Sequence, residues 1–433
     1  MLFASTRQPE RTATLADAVE RGLADDGGLF VPVQLPEFGA GALDSQVPLE
    51  KLAATVLAPF FAGDPLQSAL VELAADAFDF PAPLTPLRGG AESVEVLELF
   101  HGPTVAFKDF GARFLAACLE RLQPRSQPLT ILVATSGDTG AAVAAAFHRR
   151  RGFNVVVLFP KGLVSPRQQQ QLSCWGDNVS TVAVRGTFDE CQHLVKQTMQ
   201  DESLRRSHRF SSANSINIGR LLPQIVYYAA SSLDVWRRTG GPASYIVPSG
   251  NLGNVVACAW ARTMGLPIAE IILAHNANRA VPEFFESGEW QPRPSVATLA
   301  SAMDVGSPSN FERLRLIYPD VEAMRAQLAA VSITDDQIRA RIRADFATYG
   351  RVWCPHTAVA AEAYAELPQE LRRARHWVIV ATAHPAKFSE TVEPLIGQEV
   401  AIPSSLAALL ALPQHATEMA ADFQSLTSFL SGQ

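Results

Sequence analysis

The segment His101-Gly102-Pro103-Thr104-Val105-Ala106-Phe107-Lys108-Asp109-Phe110 puts a lysine among apolar neighbours in a chain that hardly uses lysine. Only Lys51, Lys108, Lys161, Lys196 and Lys387 occur; every other one of the 36 Lys and Arg residues is arginine. Arginine stays protonated and offers no free amine. A desolvated lysine can lose its proton and attack a carbonyl to form a Schiff base. Val105, Ala106, Phe107 and Phe110 supply an apolar setting that favours the neutral amine. A surface lysine opening a helix is the competing reading, and scarcity alone does not decide between the two.

Outward from this segment, Asp109–Leu122 sets Phe110, Phe114, Cys118 and Leu122 on one face at i, i+4 spacing, which predicts a helix. Strands are predicted at Leu129–Ala134, Asn154–Phe159, Val179–Val184, Ser244–Val247, Glu270–Ala274 and Trp377–Ala381. Near-continuous apolar runs of this length suit strands buried on both faces. Between them, Ser165-Pro166 reads as an N-cap followed by Pro at the first helical position. Thr187-Phe188-Asp189-Glu190 has capping-box spacing ahead of His193–Gln200. Strand–helix alternation predicts an α/β protein with parallel sheets flanked by helices. The expected organisation is a mostly helical N-terminal part over 1–92 and a Lys108-bearing segment with a small α/β domain over 93–240. A large α/β domain follows over 241–400, and a helical tail over 401–433.

The bulk numbers exclude several classes. A chain of 433 residues with 48% hydrophobic and 18% charged residues is globular, with volume for two or three domains. A net charge of −7 with no basic block argues against a nucleic-acid binder. Five cysteines without a C-x-x-C pair do not read as a disulfide framework or a zinc site, and no metal is expected. Most should be buried small hydrophobes. The start of the chain shows no apolar signal-peptide core, and no apolar run approaches a membrane span, so a cytoplasmic protein without membrane partners is expected.

Four predicted turns carry unusual residues. Thr135-Ser136-Gly137-Asp138-Thr139-Gly140 follows a strand and opens a helix, offering hydroxyls and N–H groups that suit a carboxylate. Pro248-Ser249-Gly250-Asn251-Leu252-Gly253-Asn254 repeats that placement, with two glycines that let backbone approach an anion. It has neither the P-loop lysine nor a dinucleotide fingerprint. Ala381-Thr382-Ala383-His384-Pro385-Ala386-Lys387-Phe388 leaves a strand with one hydroxyl. Ser212-Ala213-Asn214-Ser215-Ile216-Asn217-Ile218-Gly219-Arg220 combines amides, hydroxyls and an arginine, a second candidate anion site. Taken singly, each is also an ordinary capped turn. Together, a Schiff-base lysine, a phosphate cradle and a carboxylate cradle describe a pyridoxal 5′-phosphate enzyme acting on an amino acid.

These same stretches resemble the threonine synthase family. His101–Asp109 is similar to its H-G-P-T-x-A-F-K-D segment and Thr135–Gly140 to its T-S-G-D-T-G loop. Ser212–Asn217 is similar to S-A-N-S-I-N, Ser249–Asn254 to S-G-N-F-G-[ND], and Thr382–Phe388 to T-A-H-P-A-K-F. The D-G-G-L-F region is similar to Asp26–Phe30. Leu252 departs from the family's usual Phe, a change a backbone cradle should tolerate. The resemblance implies a fold type II enzyme with a large and a small domain, converting O-phospho-L-homoserine and water to L-threonine and phosphate by γ-elimination and β-addition. It implies that Lys108 carries the cofactor and moves protons. Gly250, Asn251, Leu252, Gly253 and Asn254 would hold the cofactor phosphate, with Asp138 near the ring 3′-oxygen and Thr382 at the pyridine nitrogen. For the substrate it implies Thr135, Ser136 and Thr139 at the carboxylate, and Asn214, Ser215 and Arg220, with Lys161, at the phosphate. A monomer or homodimer is expected. The rivals are a threonine or serine dehydratase of the same fold type, which needs no second anion site, and a non-catalytic relative that binds the cofactor.

Overall fold

The computed structural model describes residues 1–39, 41–87, 94–122 and 128–432. Every predicted strand forms, with ends shifted by at most two residues. In chain order the strands are β1 (Phe3–Ser5), β2 (Thr12–Ala13), β3 (Phe30–Pro32), β4 (Leu84–Pro86), β5 (Val94–Glu98), β6 (Leu129–Ala134) and β7 (Phe153–Pro160). They continue as β8 (Val179–Arg185), β9 (Arg209–Ser212), β10 (Ala243–Pro248), β11 (Ile268–His275), β12 (Ala329–Ser332), β13 (His376–Ala381) and β14 (Thr417–Ala420). Six of them form one sheet in the order β12-β11-β10-β13-β5-β4, five form a second in the order β14-β8-β7-β6-β9, and β2-β1-β3 is a small antiparallel sheet. Within the two large sheets all pairs are parallel except β4 with β5. Parallel pairing buries both faces under helices, which is why the central strands read as unbroken apolar runs.

The chain is dealt between the sheets less simply than the expected boundaries. β5 precedes the small-sheet strands yet lies beside β13, with Ala381 opposite Glu98. The helix Gln224–Thr239, also before residue 240, packs on the helix Gly253–Thr263. The segment 93–240 therefore contributes to both sheets. The tail is not wholly helical: β14 pairs with β8 as an edge strand of the small sheet. The N-terminal part carries β1–β3 as well as helices, and its expected boundary at 92/93 lies outside the described residues. β5 escaped notice because Glu95 and Glu98 break its apolar pattern. Those acids are paired with cations from distant segments, Glu95 with Arg238 and Glu98 with Arg351, and each also meets a histidine, Glu95 His376 and Glu98 the nearby His101.

Local signals were reliable. The helix Lys108–Leu122 buries Phe110, Phe114 and Cys118. Ser165 and Thr187 each cap a helix as a full capping box. All five cysteines are buried and free. Among the described residues no helix is long and apolar enough to cross a membrane.

Candidate active site

Two of the unusual turns leave β10 and β13 of the large sheet and two leave β6 and β9 of the small sheet, and they meet through Lys387 on Asp138 and Asn251 on Ser215. The loop from β5 to Lys108 is stitched to the β13 exit: Leu99 N–H donates to Ala381 O (3.0 Å), Phe107 N–H to Thr382 O (2.9 Å), and His384 N–H to Val105 O (3.0 Å). This binds Lys108 and Thr382 into one unit. Val105 lies in the left-handed region at φ 52°, which costs a β-branched residue about 1–3 kcal/mol. Such strain persists only where the surroundings hold it. Here Thr104 donates to Asp109 from its N–H (2.9 Å) and its hydroxyl (2.6 Å). The Thr104 carbonyl accepts from Gln171 Nε2 (3.2 Å) and Lys387 Nζ (3.0 Å).

Lys108 opens its helix with its amine in a recess. Among the described residues that amine makes no hydrogen bond and lies 5.9 Å from the Phe107 ring centroid. Burial pushes it down to about 8; Asp138 works against this, while Arg220 and Lys387 add to it. The neutral nucleophile is therefore accessible near neutral pH. Lys108 is half-buried, whereas Lys387 is wholly buried and its ammonium is tied to Asp138 at 2.7 Å. Lys161 is not brought here. It is half-exposed and pairs with Glu418 of β14, so its assignment to the substrate is withdrawn.

The turn after β6 separates into two kinds of residue. The Thr135 hydroxyl is spent on its own loop, accepting from Gly137 N–H (3.0 Å) and Gly140 N–H (2.9 Å) and donating to Gly137 O (3.1 Å). Thr135 builds the turn and has no hydroxyl capacity left for a carboxylate, which corrects its expected role. Ser136 and Thr139 are half-buried and their hydroxyls have no partner among the described residues. Asp138 takes Lys387 and Gln168 Nε2 (3.1 Å) on one oxygen. Burial would raise its carboxyl, but Lys387 and Lys108 override it and hold it well below the usual range.

The turn after β10 has the form of an anion cradle. A Cβ at Gly253 would meet nothing in the protein closer than 3.6 Å, and the residue is not left-handed, so packing does not demand glycine there. The demand is met if a ligand lies against that backbone, as a phosphate at this helix N-terminus would. Gly250 differs, since its Cβ would strike the Met303 backbone at 2.8 Å. Leu252 is left-handed at φ 62° and buried. Asn254 is anchored in the core, its Oδ1 accepting from the Tyr227 (2.6 Å) and Tyr228 (2.8 Å) hydroxyls, while its buried Nδ2 has no partner among the described residues. The Asn251 side chain donates to Ser215 Oγ (2.6 Å), joining this turn to the segment 212–220. The Thr382 hydroxyl is free among the described residues, while its N–H donates to Thr357 Oγ1 (3.3 Å).

In that last segment, Asn214 is fixed by its amide on Ala134 O (2.9 Å). Arg220 is buried to 3% exposure against the helix of Lys108, where a Cβ on Gly111 would approach its Nε to 3.0 Å. One guanidinium nitrogen donates to Ala213 O, Nε has no partner, and no carboxylate pairs with it among the described residues. Burial pulls it down to about 10, with Asp109 opposing, so it stays cationic at neutral pH. A buried cation with an unpaired donor is expensive unless an anion joins it. Asn214 and Asn251 also line a cleft of about 810 Å³ that runs outward between Arg21, Arg209 and Trp290.

Gln168, Gln171, Thr357, Asn310 and Arg313 belong to this framework and were not anticipated. Lys387 stood out as a rare lysine within the T-A-H-P-A-K-F-like turn, with no role assigned to it. Its position among apolar residues in a chain so poor in lysine was the available signal.

A family model described as pyridoxal-phosphate dependent enzyme matches residues 78–383. Models of the threonine synthase N terminus and C-terminal region match 2–78 and 357–430. Threonine synthase of Serratia marcescens is 40% identical over 97% of this chain and 96% of its own. That of Escherichia coli K12 is 40% identical over 96% of both. The crystal structure of the Escherichia coli enzyme superposes with a TM-score of 0.90 at 38% identity, covering 100% of both chains. A pyridoxal-phosphate-bound threonine synthase from Brucella melitensis also gives 0.90, at 32% identity over 100% of this chain and 99% of its own. The chain belongs to the threonine synthase family of pyridoxal-phosphate enzymes.

Proposed function

We propose that the substrate is O-phospho-L-homoserine, converted with water to L-threonine and phosphate, and that Arg220 receives its phosphate. Family membership gives the activity, threonine synthase, and the cofactor, pyridoxal 5′-phosphate. The single observation that carries the substrate assignment is the buried, incompletely paired Arg220 beside Lys108. The cofactor phosphate already has a cradle of backbone N–H groups at Gly250–Asn254, so a second anion site calls for a second anion.

The residues fit the cofactor: Lys108 for its aldehyde, the Gly250–Asn254 backbone for its phosphate, Asp138 near the ring hydroxyl and Thr382 toward the ring nitrogen. When bound, it supplies an electron sink for carbanions. Ser136 and Thr139 hold the substrate carboxylate with unspent hydroxyls. Lys108 Nζ removes the proton from Cα, gives that proton up, and as the free amine again takes one from Cβ. Arg220, with Ser215 and Asn214, holds the phosphate as the Cγ–O bond breaks and the leaving oxygen takes the electron pair. A proton returned to Cγ makes the methyl group, water adds its oxygen at Cβ, and Cα regains a proton. General acid–base steps of this kind contribute about 10²–10⁴-fold each.

A dehydratase has no use for Arg220. Purified protein should release phosphate from O-phosphohomoserine and little ammonia from threonine; the reverse ratio would sink this reading. Borohydride reduction should fix the pyridoxyl group on the peptide containing Lys108. Lys108→Arg should lose that label, because arginine has no free amine.

A further inference from the structure

We propose that Lys387 is a positioning residue for the reaction: its ammonium, locked on Asp138 and on the Thr104 carbonyl, keeps the Lys108 amine free and aimed. This rests on the assignment of Lys108 as the cofactor-bearing lysine. Three observations meet here. Lys387 is fully buried, a placement lysine avoids unless its charge is matched. Its Nζ sits 2.7 Å from Asp138 Oδ1. The same Nζ donates to Thr104 O at 3.0 Å, the carbonyl just before the left-handed Val105.

Two consequences follow for Lys108. Without Lys387, the buried Asp138 carboxylate would be the nearest counter-charge for Lys108 and would hold it as an ammonium, useless as a nucleophile or base. With Lys387 in place that carboxylate is already matched, and a second positive charge stands against protonation of Lys108. The bond to Thr104 meanwhile restrains the strained backbone from which Lys108 projects. The titratable and charged groups around Lys387 and Asp138 are Lys108, Asp109, Arg220, His356, His384 and Cys354, the last a thiol that burial pushes up to about 11. Burial lowers both imidazoles to about 4, so they are neutral in the working range and leave the balance to the lysines, the aspartates and Arg220.

The test uses the full chain stripped of cofactor and follows, against pH, the rate at which it recaptures pyridoxal phosphate, read from the yellow absorbance. The parent should reach half its maximal rate near pH 8. Lys387→Gln keeps a donor for Thr104 and Asp138 but removes the charge, and should move the half-rate point alkaline by about one pH unit or more. Asp138 acts on Lys108 more strongly than Lys387 does. The double variant Asp138→Asn/Lys387→Gln should therefore return the point to the parent value or below. A half-rate point unchanged in Lys387→Gln overturns the proposal. If that variant does not fold, the double variant is read against Asp138→Asn alone: a more alkaline point in the double variant supports the proposal, and an equal point overturns it. Borohydride labelling of each protein separates the two readings. Label on Lys108 with no shift defeats only the role of Lys387; label on another lysine defeats the assignment of Lys108 itself.

Discussion

Arg220 and Arg313 are both buried, at 3% and 0% exposure, and neither meets a carboxylate among the described residues. Burial lowers Arg313 to about 9 and Arg220 to about 10. In every other respect they differ. Arg313 spends its whole fork on the protein: Phe30 O (3.1 and 2.8 Å), Ser215 O (3.1 Å), Ile216 O (2.7 Å) and Asn310 Oδ1 (2.7 Å). It ties the N-terminal part to the loop beneath the site. Arg220 has one carbonyl and an idle Nε, and stands beside the reactive lysine. Burial of a charge therefore does not mark function. The site proposed for the phosphate is set apart by a buried charge whose hydrogen-bonding capacity the protein has not used.

Four measurements break or sharpen this contrast. Arg313→Ala should have the largest effect, on stability. Four oxygens lose donors at about 1–3 kcal/mol each when left buried and unpaired, so a loss of roughly 3 kcal/mol or more is expected in urea unfolding. A variant as stable as the parent would erase the distinction. Arg220→Ala should instead lower kcat/KM for O-phosphohomoserine at least about tenfold, equivalent to about 1.4 kcal/mol, while keeping bound cofactor and most of its stability. Arg220→Lys should recover only part, since a point charge replaces a planar fork.

Inorganic phosphate provides a test without turnover. At about ten times its Kd it should stabilise the parent by about 1.4 kcal/mol through preferential binding to the folded state, seen as a rise in Tm. Arg220→Ala should show much less of this rise, and an equal rise in both would move the phosphate site elsewhere.

The smallest effects repeat the contrast within one turn. Thr135→Ala should cost about 1 kcal/mol of stability, by leaving the Gly137 and Gly140 N–H groups without their acceptor. Ser136→Ala should leave stability alone and reduce kcat/KM several-fold, by roughly the worth of one hydrogen bond to a charged group. Assays of both variants for Tm and turnover would show whether the two hydroxyls exchange roles.

Much of this protein was legible from its residues in order. The alternation of apolar strands and capped helices follows from short-range pattern, and it placed β6, β7, β8, β10, β11 and β13 within two residues of their observed ends. That the turn Gly250–Asn254 leaves a strand and opens a helix was legible, because glycine and helix start are local properties. So was the apolar setting of Lys108. Other features were closed to that reading. β5 looked too acidic for a central strand until Arg238, Arg351 and His376 arrived from distant segments. Thr135 and Ser136 are adjacent hydroxyls of similar chemistry, and only the folded turn spends one and spares the other. Lys161 and Lys387 were both rare lysines near family-like motifs. The fold sent one to the surface beside Glu418 and the other to the buried carboxylate of Asp138. Backbone preference and hydrophobic period act over a few residues, so the sequence carried them openly. Which hydrogen-bonding groups are satisfied, and which remain for a ligand, depends on partners far away in the chain, and only tertiary packing decides that.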